Sequence, residues 1–176
     1  MKKLQRLTFV LGGAASGKSA FAEDLVTQAK IPRVYIATAQ AFDAEMAQKI
    51  ARHRADRGPD WVTIEAPRTL PQEIGKVSPG HVTLVDCVTL WLSNRMLDPA
   101  ADLEADTREL LDALSVAAGP LVVVSNEVGH GVVPDNALAR RFRNAQGRLN
   151  REIAARADTV VAVMAGLPLA LKGELP

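Results

Sequence analysis

The chain has 176 residues, 48% of them hydrophobic, which suits one soluble domain with a substantial core and predicts a single domain over residues 1–176. Its 21 basic and 20 acidic residues leave a formal charge of +1, too weak a field to gather nucleic acid or an anionic membrane by charge alone. Cys87 is the only cysteine, which excludes an internal disulfide and a multi-cysteine zinc site and fits a reducing, cytoplasmic compartment; no apolar run is long enough to span a bilayer.

Leu7-Thr8-Phe9-Val10-Leu11 reads as a buried strand. With Met1-Lys2-Lys3 it faintly resembles a signal peptide, but the apolar run is short and passes straight into Gly12-Gly13-Ala14-Ala15-Ser16-Gly17-Lys18-Ser19. That octapeptide fits G-x-x-x-x-G-K-[ST], and Ala20 to Val26 after it has helical spacing, so the motif stands in the strand–loop–helix context a phosphate-binding loop needs. Glycines let the backbone wrap a phosphate chain with its N–H groups inward, and the helix behind adds the positive end of its dipole. Lys18 would reach the β/γ-phosphates and Ser19 would hold Mg²⁺.

Arg33 to Thr38 reads as a second buried strand ending in small residues, and Asp43 is positioned to cap a helix to about Arg57, with Phe42, Met46 and Ile50 spaced by four and His53 at the end of that stripe. Trp61-Val62-Thr63-Ile64-Glu65 alternates as a short half-exposed strand, followed by a weak helix around Leu70 to Val77. His81 to Asp86 is a further buried strand with an acidic end. Helical segments follow over Val88 to Leu97 and Asp102 to Ala118, then a core strand Leu121 to Ser125 running into Asn126-Glu127-Val128-Gly129-His130-Gly131. The longest helix spans about Asn136 to Ala157, with Leu138, Phe142, Leu149 and Ile153 on one side and six arginines mainly on the others, and Thr159 to Met164 closes the series of strands. Short apolar strands alternating with helices predict an α/β fold with a mostly parallel sheet covered on both faces and ligands at the carboxyl ends of its strands, where the phosphate loop, Thr38, Asp86 and Asn126-Glu127 all fall.

A phosphate loop with Mg²⁺ serves switching, motor work or phosphoryl transfer, and other residues must choose among them. No Asn-Lys-x-Asp guanine-reading signature stands in the chain. A neutral imidazole at His53 could attack a nucleotide α-phosphate and expel pyrophosphate, with Arg52, Arg54 and Arg57 disfavouring a further positive charge; by spacing alone it could equally be a histidine at a helix edge among surface arginines. Asp86 reads as a metal-site carboxylate, a loop cap or an acceptor for a guanine edge. Glu127 either activates a hydroxyl, holds Mg²⁺ through water, or caps its Gly-rich turn, and the arginines of the long helix form a solvated face, a phosphate clamp or a subunit contact. A plain small-molecule kinase that leaves His53 idle, and a nucleotide-ordered binding module, remain the rival readings at this stage.

Over nearly its whole length the chain resembles the bifunctional adenosylcobinamide kinase/adenosylcobinamide-phosphate guanylyltransferase family of cobalamin biosynthesis. The resemblance rests on the phosphate loop, Tyr35-Ile36-Ala37-Thr38-Ala39, Asp43-Ala44-Glu45-Met46 with Ile50-Ala51-Arg52-His53-Arg54, and Trp61 to Pro67. It continues through Asp86-Cys87-Val88-Thr89, Ser125 to Pro134 and Arg140 to Asn150; the His53 and Asn126-Glu127-Val128-Gly129 blocks are its specific parts. It implies a P-loop NTPase-type, RecA-like three-layer fold assembled as a homotrimer, with His53 as the guanylylated residue. It implies GTP contacts from Gly12 to Ser19, from Ala37, Thr38 and Ala39, from Arg54, Ala55, Asp56 and Arg57, and from Glu65 and Asp86, the last shorter than the Glu found in relatives. The implied substrates are GTP or ATP and a corrinoid, with Mg²⁺ at Ser19 and Asp86.

Overall fold

A computed structural model of the protein describes residues 4–40 and 58–176. In chain order the elements are β1 (Leu7–Gly12), α1 (Lys18–Gln28), β2 (Arg33–Ala37), β3 (Trp61–Glu65), α2 (Leu70–Lys76), β4 (Val82–Asp86), α3 (Val88–Met96), α4 (Leu103–Val116), β5 (Leu121–Asn126), α5 (Ala137–Arg156), β6 (Thr159–Met164) and β7 (Leu167–Lys172). The helix expected over Asp43 to Arg57, and with it His53, Arg54, Ala55, Asp56 and Arg57, lies outside the described residues.

Among the described residues all the strands share one seven-stranded sheet, ordered β3-β2-β4-β5-β1-β6-β7 and parallel except for β7. Alternation along each strand separates two cores. On one face α1 buries Ala22, Leu25 and Val26 against Val10, Leu84, Val122, Val124 and Val161. On the other, Trp91, Leu110, Leu114, Leu149 and Ile153 from α3, α4 and α5 meet Leu7, Phe9, Ile36, Val85 and Val123. This is the expected three-layer arrangement, helices on both sides of a buried parallel sheet. Two helix starts are set by side-chain chemistry: Asp102 caps α4 by accepting from the N–H groups of Glu104 and Ala105, and Asn136 caps α5 by accepting from Ala139 N–H.

One strand escaped the sequence reading. The strands do not end at Met164, because Ala165 (φ 52°) and Gly166 (φ 78°) make a two-residue turn with both residues left-handed, and β7 returns antiparallel to β6. Pro168 and the absence of an Asn-Gly or Asp-Gly pair hid this hairpin; as an edge strand, β7 tolerates the missing N–H. Leu138 also departs from expectation, since it is 51% exposed while Leu149 and Ile153 of the same helix are buried. Among the described residues no helix is long and apolar enough to cross a membrane.

Candidate functional site

The phosphate loop leaves β1 at Gly12 and enters α1 at Lys18. Gly17 is the N-cap residue with φ 92°, a conformation that favours glycine, and among the described residues no side chain caps the helix; its first turn carries no acidic residue. The N–H groups at that end are therefore left for a ligand, and the dipole there favours an anion. Lys18 is buried, and its Nζ donates to Gly13 O at 3.0 Å. An ammonium has three donors, so one fixes the side chain over the loop and two remain for phosphate oxygens.

The β6–β7 hairpin holds this loop from behind: Gly166 N–H donates to Ser16 O at 2.8 Å. A Cβ on Gly12 would stand 2.5 Å from both Val163 O and Ser16 Oγ. Gly12→Ala is thus expected to destabilise the fold by about 1–3 kcal/mol through a forced backbone shift, and to weaken nucleotide binding with it. Urea denaturation with and without GTP reads both effects; an unchanged midpoint would show that the loop yields freely.

The register of the sheet places the other candidates in a row. Glu65 pairs with Ala37, Ala37 with Asp86, and on the far side of β5 Asn126 pairs with Gly12. From Glu65 to β1 is four inter-strand spacings, roughly 19 Å, and Asn126 and Gly12 stand two residues beyond the row of Glu65, Ala37 and Asp86. The crevice along the carboxyl ends thus runs from the phosphate loop past Asp86 to Glu65, which is exposed at the strand end. Asp86 Oδ2 accepts from the Tyr35 hydroxyl at 3.0 Å, which orients the carboxylate.

Thr38 does something the sequence did not reveal. Its Oγ1 donates to Cys87 O (2.6 Å) and accepts from Cys87 N–H (2.9 Å), its N–H donates to Asp86 O, and its carbonyl accepts from Asn94 Nδ2. Every polar group of Thr38 is thereby engaged, and it fixes the Asp86–Cys87 corner, whose peptide bond is cis, rather than offering a free hydroxyl. Ala37 and Ala39 beside it are partly exposed. Burial, with the Asp86 charge alongside, pushes the Cys87 thiol from 9.0 up to about 11, so it stays a neutral, buried thiol at physiological pH.

Of the alternatives open for Glu127, the geometry realises the turn cap: Oε1 accepts from Gly129 N–H at 2.6 Å, while Glu127 N–H donates to Gly12 O at 3.0 Å. Behind it sits a buried polar cluster that composition gave no reason to single out. Ser125 Oγ donates to Asn150 Oδ1 (2.6 Å), Gln146 Nε2 donates to both Ser125 Oγ and Asn150 Oδ1, Thr89 Oγ1 accepts from Asn126 N–H, and Asn150 Nδ2 donates to Asn126 O. Gln146, Leu149, Asn150 and Ile153 form one buried stripe of α5, so polar residues on the apolar stripe were the signal. The cluster locks α3 and α5 to the end of β5.

The sequence model of the family described as cobinamide kinase / cobinamide phosphate guanyltransferase matches residues 8–171. The bifunctional adenosylcobalamin biosynthesis protein CobP of Pseudomonas aeruginosa is 45% identical over 94% of this chain and 96% of its own. The bifunctional adenosylcobalamin biosynthesis protein CobU of Escherichia coli is 36% identical over 94% of this chain and 99% of its own. Among solved structures, the RadB recombinase superposes on 91% of this chain and 74% of its own with a TM-score of 0.54 at 17% identity, a likeness of fold alone.

Proposed function

The chain belongs to the cobinamide kinase / cobinamide phosphate guanyltransferase family, and we propose that its single domain performs both reactions at the crevice headed by the phosphate loop. The first phosphorylates adenosylcobinamide with ATP or GTP; the second transfers GMP from GTP to adenosylcobinamide phosphate, giving adenosylcobinamide-GDP in cobalamin biosynthesis. The observation that carries the reading is Lys18, held by Gly13 O over an uncapped helix N-terminus on the same carboxyl edge as Asp86.

In the kinase step the terminal hydroxyl of the aminopropanol arm attacks the γ-phosphorus, the bond to the β–γ bridging oxygen breaks, and the hydroxyl proton is lost. Lys18 and the N–H groups of Gly13 to Ser19 take up the charge that spreads over the phosphoryl oxygens. In the transferase step an imidazole nitrogen of His53 attacks the α-phosphorus and pyrophosphate leaves; an oxygen of the acceptor phosphate then displaces the imidazole, forming the new P–O–P link. Glu65, Ala37, Ala39 and Asp86 border the nucleotide along the row, with Thr38 setting the position of that edge, and Arg54 to Arg57 complete the nucleotide contacts.

The residues present fit Mg²⁺: a hydroxyl at Ser19 in the first turn of α1 and one oriented carboxylate at Asp86 suit a cation that takes few protein ligands beside phosphate oxygens and water. When bound, the ion would neutralise phosphate charge. Cytoplasmic location and a homotrimer belong to the same reading, and exposed Met164, Leu167, Leu169 and Leu171 on the β6–β7 hairpin offer an apolar surface for a second copy.

Incubating the protein with adenosylcobinamide, GTP and Mg²⁺ tests the proposal by mass-resolved chromatography. Adenosylcobinamide phosphate should appear first, then adenosylcobinamide-GDP with one pyrophosphate per product. Phosphate ester alone would reduce the protein to a plain kinase, and unchanged corrinoid with GTP bound would make it a binding module.

A further inference from the structure

The arginines of α5 do not all find partners among the described residues, and Arg148 and Arg151 are exposed. Arg156 pairs with Glu152 at 2.8 Å, and Arg140 donates to the carbonyls of Pro134 and Asp135. Arg143, Arg148 and Arg151 have no hydrogen-bonding or ion-pair partner among the described residues, although like charges one helical turn apart repel. These three, with Asn144, Gly147 and Gly129, line a concavity of about 410 Å³.

Gly147 is its floor. It sits one turn from Arg143 and one turn from Arg151, in the interior of a 20-residue helix, where glycine is a poor helix former. A Cβ built there would meet nothing within 4 Å, so packing does not demand glycine. What glycine does at this point is leave open a notch lined by three arginines, a residue type whose planar guanidinium fork matches the geometry of a phosphate.

Its place in the fold says which phosphate. Since α5 leads from the carboxyl end of β5 back to the start of β6, and Asn150 Nδ2 donates to Asn126 O, the stretch before Asn150 lies at or beyond the carboxyl edge. Glu127 joins the two sites, with its N–H on Gly12 O and its carboxylate on Gly129 N–H. The phosphate loop stands on the Gly12 side of this turn and the notch on the Gly129 side. The notch adjoins, through shared Asn144 and Arg148, a groove of about 1180 Å³ between α4 and α5, with Leu103, Leu111 and Leu149 among its lining. A site beside the nucleotide, with a large part-apolar groove next to it, suits the second substrate.

We infer that Arg143, Arg148 and Arg151, around the notch at Gly147, bind the phosphomonoester of the acceptor and so distinguish adenosylcobinamide phosphate from its unphosphorylated precursor. This rests on the proposed function above, whose second reaction has a phosphomonoester as acceptor.

The test is equilibrium binding of adenosylcobinamide phosphate and of adenosylcobinamide, with steady-state kinetics, on the parent protein, Arg148→Ala/Arg151→Ala, Arg148→Lys/Arg151→Lys and Gly147→Leu. The alanine pair should weaken binding and raise the KM of the phosphorylated acceptor by about tenfold or more, the size of a lost charge-assisted hydrogen bond. It should leave the KM of adenosylcobinamide and the affinity for GTP in their parent range; the lysine pair should recover part of the loss, and Gly147→Leu should reproduce it without a fall in Tm. Equal affinity of parent and alanine pair for adenosylcobinamide phosphate overturns the inference, as does a loss that falls on GTP instead. If the parent binds adenosylcobinamide phosphate more tightly than adenosylcobinamide but never forms adenosylcobinamide-GDP, the proposed function fails, while the alanine pair still decides the notch by binding alone.

Discussion

Lys18→Ala is expected to lower both the kinase and the guanylyltransferase rates by roughly 10²–10³, the usual cost of removing one preorganised charge stabiliser from a transition state. Both reactions need the same group because both draw negative charge onto phosphoryl oxygens, one at the γ- and one at the α-phosphate with pyrophosphate leaving. The side chain is already placed before substrate arrives, by its bond to Gly13 O, so no ordering has to occur at the moment of reaction. Stability should change little, because the partner lost is one carbonyl in an exposed part of the loop. Single-turnover rates for each half-reaction, with Tm as a control, read the effect. If either rate stays within about threefold of the parent, less than one kcal/mol of stabilisation is assigned to Lys18 and the loop is not the shared phosphate site.

Legibility in the sequence tracked how local the determinants are. The phosphate loop and its flanks were readable because motif, strand and helix start occupy one continuous stretch, Leu7 to Val26, and the structure reproduces them. Asp86 was readable as a strand end, and the register then set it beside Ala37. Thr38 was not readable, because the groups that engage it belong to Asp86, Cys87 and Asn94, far along the chain. The same holds for Gln146 and Asn150: on paper they are ordinary polar residues of an arginine-rich helix, and only the contact with Ser125 makes them core. β7 was lost for the opposite reason, since its local signals, Pro168 and an Ala-Gly turn, point away from a strand that pairing with β6 then imposes. Glu127 shows the limit of type-based reading. Its carboxylate could serve chemistry or a turn, and only the structure shows that one of its oxygens accepts from the N–H of Gly129.

His53→Asn should separate the two reactions that Lys18→Ala lowers together. Asparagine keeps a side chain of similar length without a nucleophilic ring nitrogen, so the variant should form adenosylcobinamide phosphate at a rate of the parent's order and no adenosylcobinamide-GDP. The direct readout is intact mass after incubation with GTP and Mg²⁺ at neutral to alkaline pH, because a phosphoramidate is acid-labile. The parent should gain one GMP and lose it when adenosylcobinamide phosphate is added; the variant should gain none. Lowering the pH through the histidine range should slow adduct formation, since only the neutral imidazole attacks. Should the variant still produce adenosylcobinamide-GDP at the parent rate, direct attack of the acceptor phosphate on GTP would replace the covalent route. The arginine notch would keep its place in such a reaction, because the acceptor phosphate must be held beside the α-phosphate by either route.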